Sequence, residues 1–143
     1  MIPNFNRKGY LPAGVHQATL KEIDKRFGEG STKRTELFNK LKIVLNNLKS
    51  AGVEKVFING SYVTSKIEPN DIDGCWEANP QVNPKKLDPV LLDFGNNRQK
   101  MKKKYEVDFF IAEVIEQSSG YPFKEFFQRD RDGKEKGIIL IKL

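Results

Sequence analysis

The sequence predicts a single domain of the α+β class, with α/β-like features, over residues 1–143. Helical patterns precede and separate short apolar stretches of strand character, which is typical of this class. The chain has 143 residues, a normal length for one domain with one core. Hydrophobic residues make up 38% and charged residues 31% of the chain, a composition that favours a folded protein over a disordered one.

Charge and cysteine content narrow the partners and the environment. The net charge is +6 and the isoelectric point about 9.4, which favours anionic partners such as nucleotides or nucleic acid. A solvated basic surface would give the same totals. Cys75 is the only cysteine, so an internal disulfide is excluded and we expect a reducing cytoplasm. The first 14 residues contain no long apolar run, so we expect neither a signal peptide nor a membrane span.

The first part of the chain predicts an extended arm and two helices. Prolines and glycines in Met1–Gly14 favour an extended arm. Apolar residues at helical spacing predict a short helix over Ala18–Phe27. Ser31 or Thr32 caps a longer helix that runs to about Ser50. The apolar stripe of this helix consists of Leu37, Leu41, Val44, Leu45 and Leu48.

The rest of the chain predicts strands separated by turns and short helices. Asp88 as an N-cap and Pro89 at the first helical position predict a helix start. The expected strands cover residues 53–59, 71–76, 105–112 and 137–143. The expected helices or turns cover residues 62–66, 88–94, 98–104, 122–128 and 130–136.

Two acidic residues open the second strand. Side chains alternate between the faces of a strand, so Asp71 and Asp73 share one face while Ile72 points to the other. Adjacent carboxylates raise each other's pKa unless a cation lies between them. Their oxygens suit Mg²⁺, which commonly binds one or two carboxylates together with substrate phosphates. The pattern therefore predicts a magnesium site.

The turn before this strand is suited to an anion. Gly60 allows the backbone to approach a ligand closely, and amides at the start of a helix favour negative charge. Ser61 adds a hydroxyl group, and Lys66 is near enough in sequence to contact a triphosphate. We therefore expect these three residues to bind a nucleotide beside the metal site.

The third strand carries one acid, Asp108, among apolar residues. An unpaired charge on a buried strand is costly, so Asp108 needs a partner. One candidate partner is a metal ion shared with Asp71 and Asp73. Three carboxylates on neighbouring strands can hold two divalent ions roughly 3.5–4 Å apart for phosphoryl chemistry. The other candidate is an ion pair with a lysine or an arginine.

These motifs, in this order, resemble the nucleotidyltransferase superfamily with the DNA-polymerase-β-like fold. The resemblance covers about residues 53–112. More of the chain resembles a family of small uncharacterised bacterial proteins with this fold, through residues 11–16, 87–94, 130–133 and 136–138. The superfamily motif residues are Ile58, Gly60, Ser61, Asp71, Asp73 and Asp108.

The resemblance implies a minimal nucleotidyltransferase fold, with a mixed β-sheet flanked by helices. Asp71 and Asp73 would bind two Mg²⁺ ions, for which Mn²⁺ can substitute, and Asp108 would bind the ion that activates a hydroxyl. Gly60 amides and the Ser61 hydroxyl would hold the β- and γ-phosphates. A nucleoside monophosphate would pass from an NTP such as ATP to a protein or RNA hydroxyl, and pyrophosphate would leave.

An alternative is a binding module that keeps this fold without catalysis. The superfamily is common in bacterial toxin–antitoxin and phage-defence pairs, where such a module would be the antitoxin or regulatory half. No second helical domain is predicted, so a partner protein or a homodimer would complete the site. A basic helix that includes Arg98 and Lys100 leaves nucleic-acid binding as a third hypothesis.

Several other residues receive structural interpretations. Asp93 is expected to cap or pair, and Asp130–Gly133 to form a turn, because the later ligands of a calcium loop are missing. His16 is the only histidine, which excludes histidine-based zinc sites and Ser-His catalysis. Cys75 follows the two acids on the same strand face and is expected in the core. Core positions are also expected for Trp76, Phe123, Phe126 and Phe127.

Overall fold

The computed structural model describes residues 1–143 and shows five strands and four α-helices, joined by 3₁₀ and π-helical turns. The strands are β1 (Gly14–Gln17), β2 (Lys55–Asn59), β3 (Ile72–Trp76), β4 (Val107–Ile111) and β5 (Gly137–Lys142). The helices are α1 (Leu20–Ile23), α2 (Thr32–Ser50), α3 (Gln99–Tyr105) and α4 (Phe123–Phe126). The α+β class that the sequence predicts is confirmed. None of the helices combines the length and the apolar composition that a membrane crossing requires.

The five strands form one mixed sheet in the order β1-β5-β2-β3-β4. β1 pairs with β5 in parallel, and β3 pairs with β4 in parallel. β2 runs antiparallel to both of its neighbours, β5 and β3. This arrangement places the two acidic strands side by side at one edge of the sheet.

The two faces of the sheet are covered very unequally. The main core lies on the face toward α2, whose apolar stripe is fully buried as the sequence predicts. Side chains of alternate residues on the other face form a second, small cluster, against which α4 packs through Phe123 and Phe127. That cluster consists of Phe57, Cys75, Ala112 and Ile138. A four-residue helix covers little of this face, which leaves room for cavities.

Local signals explain the ends of α2 and α3. The Ser31 side chain accepts a hydrogen bond from the Arg34 amide (3.1 Å), which confirms Ser31 as the N-cap of α2. Tyr105 was predicted in a strand, but it ends α3, where its hydroxyl donates to Asp88 (2.5 Å). Glu106 then takes a left-handed conformation (φ 53°) and ends the helix. β4 is therefore shorter than the predicted strand.

Three further elements differ from their predictions. β1 follows the predicted N-terminal arm and overlaps it only at Gly14. The sequence does not predict this strand, because a four-residue edge strand with alternating exposure carries little local signal. The helix predicted over Ala18–Phe27 is α1 followed by a π-helical turn at Asp24–Gly28. The helix predicted to start at Asp88 is a single 3₁₀ turn, Pro89–Leu92, with Asp88 as its N-cap.

The Arg34 side chain of α2 fastens the segment between β2 and β3. Its guanidinium is buried and donates hydrogen bonds to the carbonyl oxygens of Tyr62 (2.7 Å) and Thr64 (3.0 Å). It also donates to the carbonyl oxygens of Phe27 (3.0 Å) and Lys66 (2.5 Å). A buried guanidinium is tolerated only when its donors are satisfied, and here backbone carbonyls satisfy them. The segment that follows Gly60 is therefore held against α2.

Replacement of this side chain should loosen the segment. We expect Arg34→Met to lower the free energy of unfolding by about 2–4 kcal/mol, because it leaves buried carbonyl groups without donors. Urea unfolding measures the loss, and amide hydrogen exchange should accelerate most at residues 62–66. Lys49→Met, at an exposed position on the same helix, is the control and should change neither. Equal exchange rates in both variants would contradict this role of Arg34.

Candidate active site

Three polar residues lie in a row across β2, β3 and β4. Asp73 is the register partner of Asn59 on β2 and of Asp108 on β4. Neighbouring strands lie about 4.8 Å apart, so the three side chains are close together on the face that α4 partly covers. Asn59 is buried, and its Oδ1 atom has no hydrogen-bond partner in the protein.

Asp71 and Asp73 have no cationic partner among the protein's own side chains. Neither side chain forms an ion pair or a hydrogen bond with another protein group. Burial raises the pKa of Asp73 to about 7, and the charges of Asp71 and Asp108 add to the effect. Burial, followed by the charge of Asp108, also raises the pKa of Asp71. Lys136 and Lys102 oppose these shifts from a distance. The two acids that the sequence singles out therefore lie together with excess negative charge.

Asp108 differs because it has a protein partner. Arg98 Nε donates to Oδ1 (2.8 Å) and Arg98 Nη2 to Oδ2 (3.0 Å), and Lys102 Nζ lies 3.5 Å from Oδ2. Of the two alternatives that the sequence leaves open, the structure shows the ion pair. Arg98 ends a run of three left-handed residues, Asn96 (φ 50°), Asn97 (φ 56°) and Arg98 (φ 58°), which is costly for residues other than glycine.

The Gly60–Ser61 turn lies directly against Asp73. Gly60 has φ 75°, and a Cβ atom there would collide with the Asp73 carboxylate. Glycine is therefore required twice, for its backbone conformation and for this close approach. Gly60–Val63 forms a single 3₁₀ turn rather than a longer helix. The hydroxyl of Ser61 makes no hydrogen bond within the protein.

A cavity of about 510 Å³, here called the cationic cavity, opens beside this turn. Gly60, Ser61 and Lys66 all line it, so the structure brings the three predicted nucleotide-binding residues together. Its other polar wall groups include side-chain hydroxyls and the four charged side chains of residues 130–132 and 136. The cations of the cavity are Lys8, Lys66, Arg131 and Lys136, and its acids are Asp130 and Asp132. The charge of the walls is positive on balance.

A second cavity of about 590 Å³, the phenylalanine cavity, lies on the other side of Asp73. Asp73, Asp108 and Arg98 form its polar wall. Its aromatic wall consists of Phe94, Phe110, Phe123, Phe126 and Phe127. A bridging cavity of about 550 Å³ shares Asp73 with it and Gly60 with the cationic cavity. The three cavities share wall residues and are together called the trench. Asp73 lines two of them and Asp108 one, whereas Asp71 lines none of the three.

This trench revises part of the core prediction. Trp76 and Cys75 are buried, as expected. Phe123 and Phe127 pack on the small cluster, but they and Phe126 are only half-buried and also line the phenylalanine cavity. The sequence predicts core positions for all three, because aromatic residues in a short helix give no sign of which side remains open.

The remaining predicted residues lie outside the trench or pair internally. Asp93 pairs with Lys100 (3.2 Å), as expected, and Asp130 accepts hydrogen bonds from the amides of Asp132 (2.9 Å) and Lys134 (2.9 Å) in the expected turn. Most basic side chains of the predicted basic helix form ion pairs within the protein. Its pairs are Arg98 and Lys102 with Asp108, Lys100 with Asp93, and Lys104 with Asp88.

Sequence reasoning missed Lys136, which lines both the cationic and the bridging cavity. Burial lowers the pKa of its ammonium group, and the charge of Asp73 acts in the opposite direction. Asn59 and Arg131 also line the bridging cavity, and the sequence assigns neither of them a role there. Asn59 directly precedes Gly60, and that adjacency was the one available signal.

No group of three or more histidine, cysteine, aspartate or glutamate side chains is arranged to hold a metal ion. Arg98 occupies both oxygens of Asp108, which removes the third acid from such a group. Asp71 and Asp73 form no ion pair within the protein. The prediction that all three acids ligate metal remains a prediction.

The raised pKa of Asp73 predicts a pH-dependent stability. An acid whose pKa is higher in the folded chain takes up a proton on folding between its two pKa values, so stability decreases as pH rises from about 4 to about 7. Asp73→Asn removes this penalty. Discounted for partial exposure, we expect the variant to be more stable at pH 8 by on the order of 2 kcal/mol.

Urea unfolding at pH 4.5 and pH 8 measures this difference, which should fall to about half or less at the lower pH, just above the unfolded-state pKa. Asp93→Asn, at an acid that is paired outside the trench, is the control and should not be stabilised at pH 8. A stability gain of Asp73→Asn that is equal at the two pH values would refute the assignment of the burial penalty to this carboxylate.

The contact of Gly60 with Asp73 is testable by a double-mutant cycle. Gly60→Ala should lower the free energy of unfolding by about 1–3 kcal/mol, through its positive φ and the collision with Asp73. Gly120→Ala is the matched control, because Gly120 has φ 76° with no atom within 4 Å of the added Cβ. In an Asp73→Ala background the two alanine variants should cost the same. A persistent excess at Gly60 would mean that another contact is responsible.

Comparison with protein-family models places almost the whole chain in one family. The match covers residues 3–142 and therefore includes the Gly60–Ser61 turn and all three acids. No curated protein and no solved structure gives a significant match. The matching model is described as a family of unknown function, DUF6932. The chain belongs to this family.

Proposed function

We propose that the chain is a Mg²⁺-dependent nucleotidyltransferase that moves a nucleoside monophosphate from an NTP to a hydroxyl group. The observation that carries this proposal is that two sites of opposite charge meet at Gly60. A cationic cavity lies on one side of the turn, and a pair of unneutralised carboxylates lies on the other. A metal–triphosphate complex carries the complementary charges, with negative phosphates for the cavity and a metal cation for the carboxylates.

The cationic cavity would hold the triphosphate. Its lysine and arginine side chains can neutralise phosphate oxygens, and the free hydroxyl of Ser61 can donate a hydrogen bond. Lys136 lies in the shared wall between this cavity and the bridging cavity, next to Asp73. It is therefore placed to contact the phosphate nearest to the carboxylates.

Asp71 and Asp73 fit a divalent cation. Their pKa values are raised by burial and by nearby carboxylates, an effect that a bound cation would relieve. The unpartnered Asn59 oxygen lies in the same row as Asp73. Mg²⁺ needs only one or two carboxylates when phosphates complete its shell. When bound, the ion would neutralise phosphate charge and lower the pKa of an attacking hydroxyl.

Asp108 faces the phenylalanine cavity from the far end of the row. In the proposed reaction the acceptor oxygen forms a bond to the α-phosphorus while the bond to pyrophosphate breaks. Asp108 would orient the acceptor hydroxyl and take its proton once Arg98 releases a carboxylate oxygen. Positioning and charge neutralisation account for most of such catalysis, so few side chains are needed.

The sheet topology also supports the proposal. The turn follows β2, two acids open β3, and the third acid lies on parallel β4, in register with Asp73. These positions agree with those that the resemblance to the DNA-polymerase-β-like fold implies. The acceptor, a protein or an RNA hydroxyl, and a partner protein or second copy that completes the site remain parts of this proposal.

A catalytically inactive binding module of the same fold is the second candidate. The observation that favours it is the two-pronged ion pair between Arg98 and Asp108, which neutralises the third acid without a metal. Such a module would bind a partner protein through the same surface. Its complex would survive the loss of all three acids.

If the chain is a transferase, it should attach the label of an NTP to an acceptor. We expect α-labelled NTP, Mg²⁺ and lysate of the source cells to yield a labelled acceptor. Asp71→Ala and Asp73→Ala should each reduce the rate by about 100-fold or more, because each removes charge stabilisation at the transferred phosphate. Asp93→Ala is the matched control and should retain full activity, since Asp93 lies outside the trench.

Variants of the three acids distinguish the transferase from the binding module. Absence of label with every NTP, or undiminished label with the double variant Asp71→Ala and Asp73→Ala, would eliminate the transferase. Co-purification of a partner with a triple alanine variant of Asp71, Asp73 and Asp108 would then support the binding module.

A further inference from the structure

We propose that the phenylalanine cavity is the acceptor site, and that it takes an uncharged aromatic ring bearing a hydroxyl group, as in a tyrosine side chain. This assignment rests on the function proposed above and specifies its acceptor. Stacking geometry, the charge of the walls and the position of Asp108 each support it.

The phenyl rings of the cavity form a partial stack. The rings of Phe94 and Phe110 are nearly parallel, at 10°, with centroids 6.2 Å apart. The rings of Phe110 and Phe123 are also nearly parallel, at 9°, with centroids 4.0 Å apart. Aromatic rings gain energy from offset stacking beyond the burial of their area. A planar group that enters the cavity can extend this series.

The rim of the cavity is apolar and open. Phe94 is 39% exposed, Val114 49% and Ile115 45%, and these three large side chains all line the same cavity. The volume of about 590 Å³ is within the range of small-molecule sites. Burial of exposed apolar side chains by a ligand ring would therefore provide the main driving force.

The charge of the walls argues against a polyanion. The acids Asp73, Asp108 and Glu116 line the cavity, and its one cation, Arg98, is already paired with Asp108. RNA depends on free lysines and arginines for its affinity, and this cavity offers none. The cationic cavity at the other end of the trench has the opposite balance. The trench thus separates an anionic substrate from an uncharged one.

The position of the acids selects a hydroxyl over a plain ring. Asp73 and Asp108 lie side by side in the polar part of the cavity wall. A hydroxyl on the ring can donate to Asp73, which has no partner in the protein, whereas a ring without a hydroxyl leaves Asp73 unpaired. The donating oxygen would then lie next to the carboxylates at which the triphosphate is proposed to bind. Its bond to the α-phosphorus forms as pyrophosphate leaves, and its proton passes to Asp108.

Binding can be tested on the full chain without nucleotide or metal. The probes are N-acetyl-tyrosinamide, N-acetyl-phenylalaninamide and a short oligoadenylate RNA, each titrated by ¹H–¹⁵N NMR. We expect N-acetyl-tyrosinamide to shift the amides of β4 and α4, and to bind more tightly than the ring without a hydroxyl. Phe94→Ala and Ile115→Ala, both at exposed rim positions, should each weaken binding by about fivefold. Ile43→Ala, at a position 56% exposed on α2, is the matched control and should leave binding unchanged.

The possible results distinguish this inference from the proposed function. Tighter binding of RNA than of N-acetyl-tyrosinamide, or no probe at the cavity, would overturn the acceptor assignment. A separate titration with ATP monitors the cationic cavity through the amides of Ser61 and Lys66. Loss of ATP binding with retained N-acetyl-tyrosinamide binding would overturn the transferase and leave the aromatic site standing. Binding of ATP alone would overturn only the aromatic site.

Discussion

The concentration of negative charge at one end of the sheet is the constraint on which the rest of this structure depends. Asp73 and Asp108 lie on adjacent strands, Asp71 directly precedes the first of them, and protein groups form ion pairs only with Asp108. The surrounding structure is built to tolerate this charge rather than to remove it. Gly60 omits a side chain so that the turn fits against Asp73, and Lys136 approaches from β5's start without pairing. Such unrelieved repulsion is common where a protein binds a cation.

The unequal covering of the sheet explains why this charge can be used. α2 and the main core secure one face, and they hold the strands in register. The other face carries a small cluster and a four-residue helix, so cavities form along it. The same face therefore presents lysines, carboxylates and phenylalanines in sequence along one trench. The main core and the cavities thus lie on opposite sides of a single sheet.

Much of the site could be predicted because its signals are local. Alternation along a strand puts Asp71 and Asp73 on one face, and Gly60 followed by Ser61 marks a tight turn. Asp108 could be placed near them only as an expectation about strand neighbours. Its actual partner could not be predicted, because Arg98 reaches it through three left-handed residues that no propensity favours. The position of Lys136 beside the acids could not be predicted either, because it depends on the insertion of β5 between β1 and β2.

The attachment of residues 62–66 to α2 has a consequence for any ligand of the cationic cavity. Three of the four carbonyl groups that accept hydrogen bonds from Arg34 belong to this segment, and they fix its backbone in one shape. A loop that is already ordered loses little conformational entropy on binding, so more of the electrostatic attraction appears as affinity. Preorganisation of this kind makes the free and the occupied loop alike. Recognition at this end of the trench then resembles a rigid receptor, and adjustment on binding falls to the exposed aromatic rim.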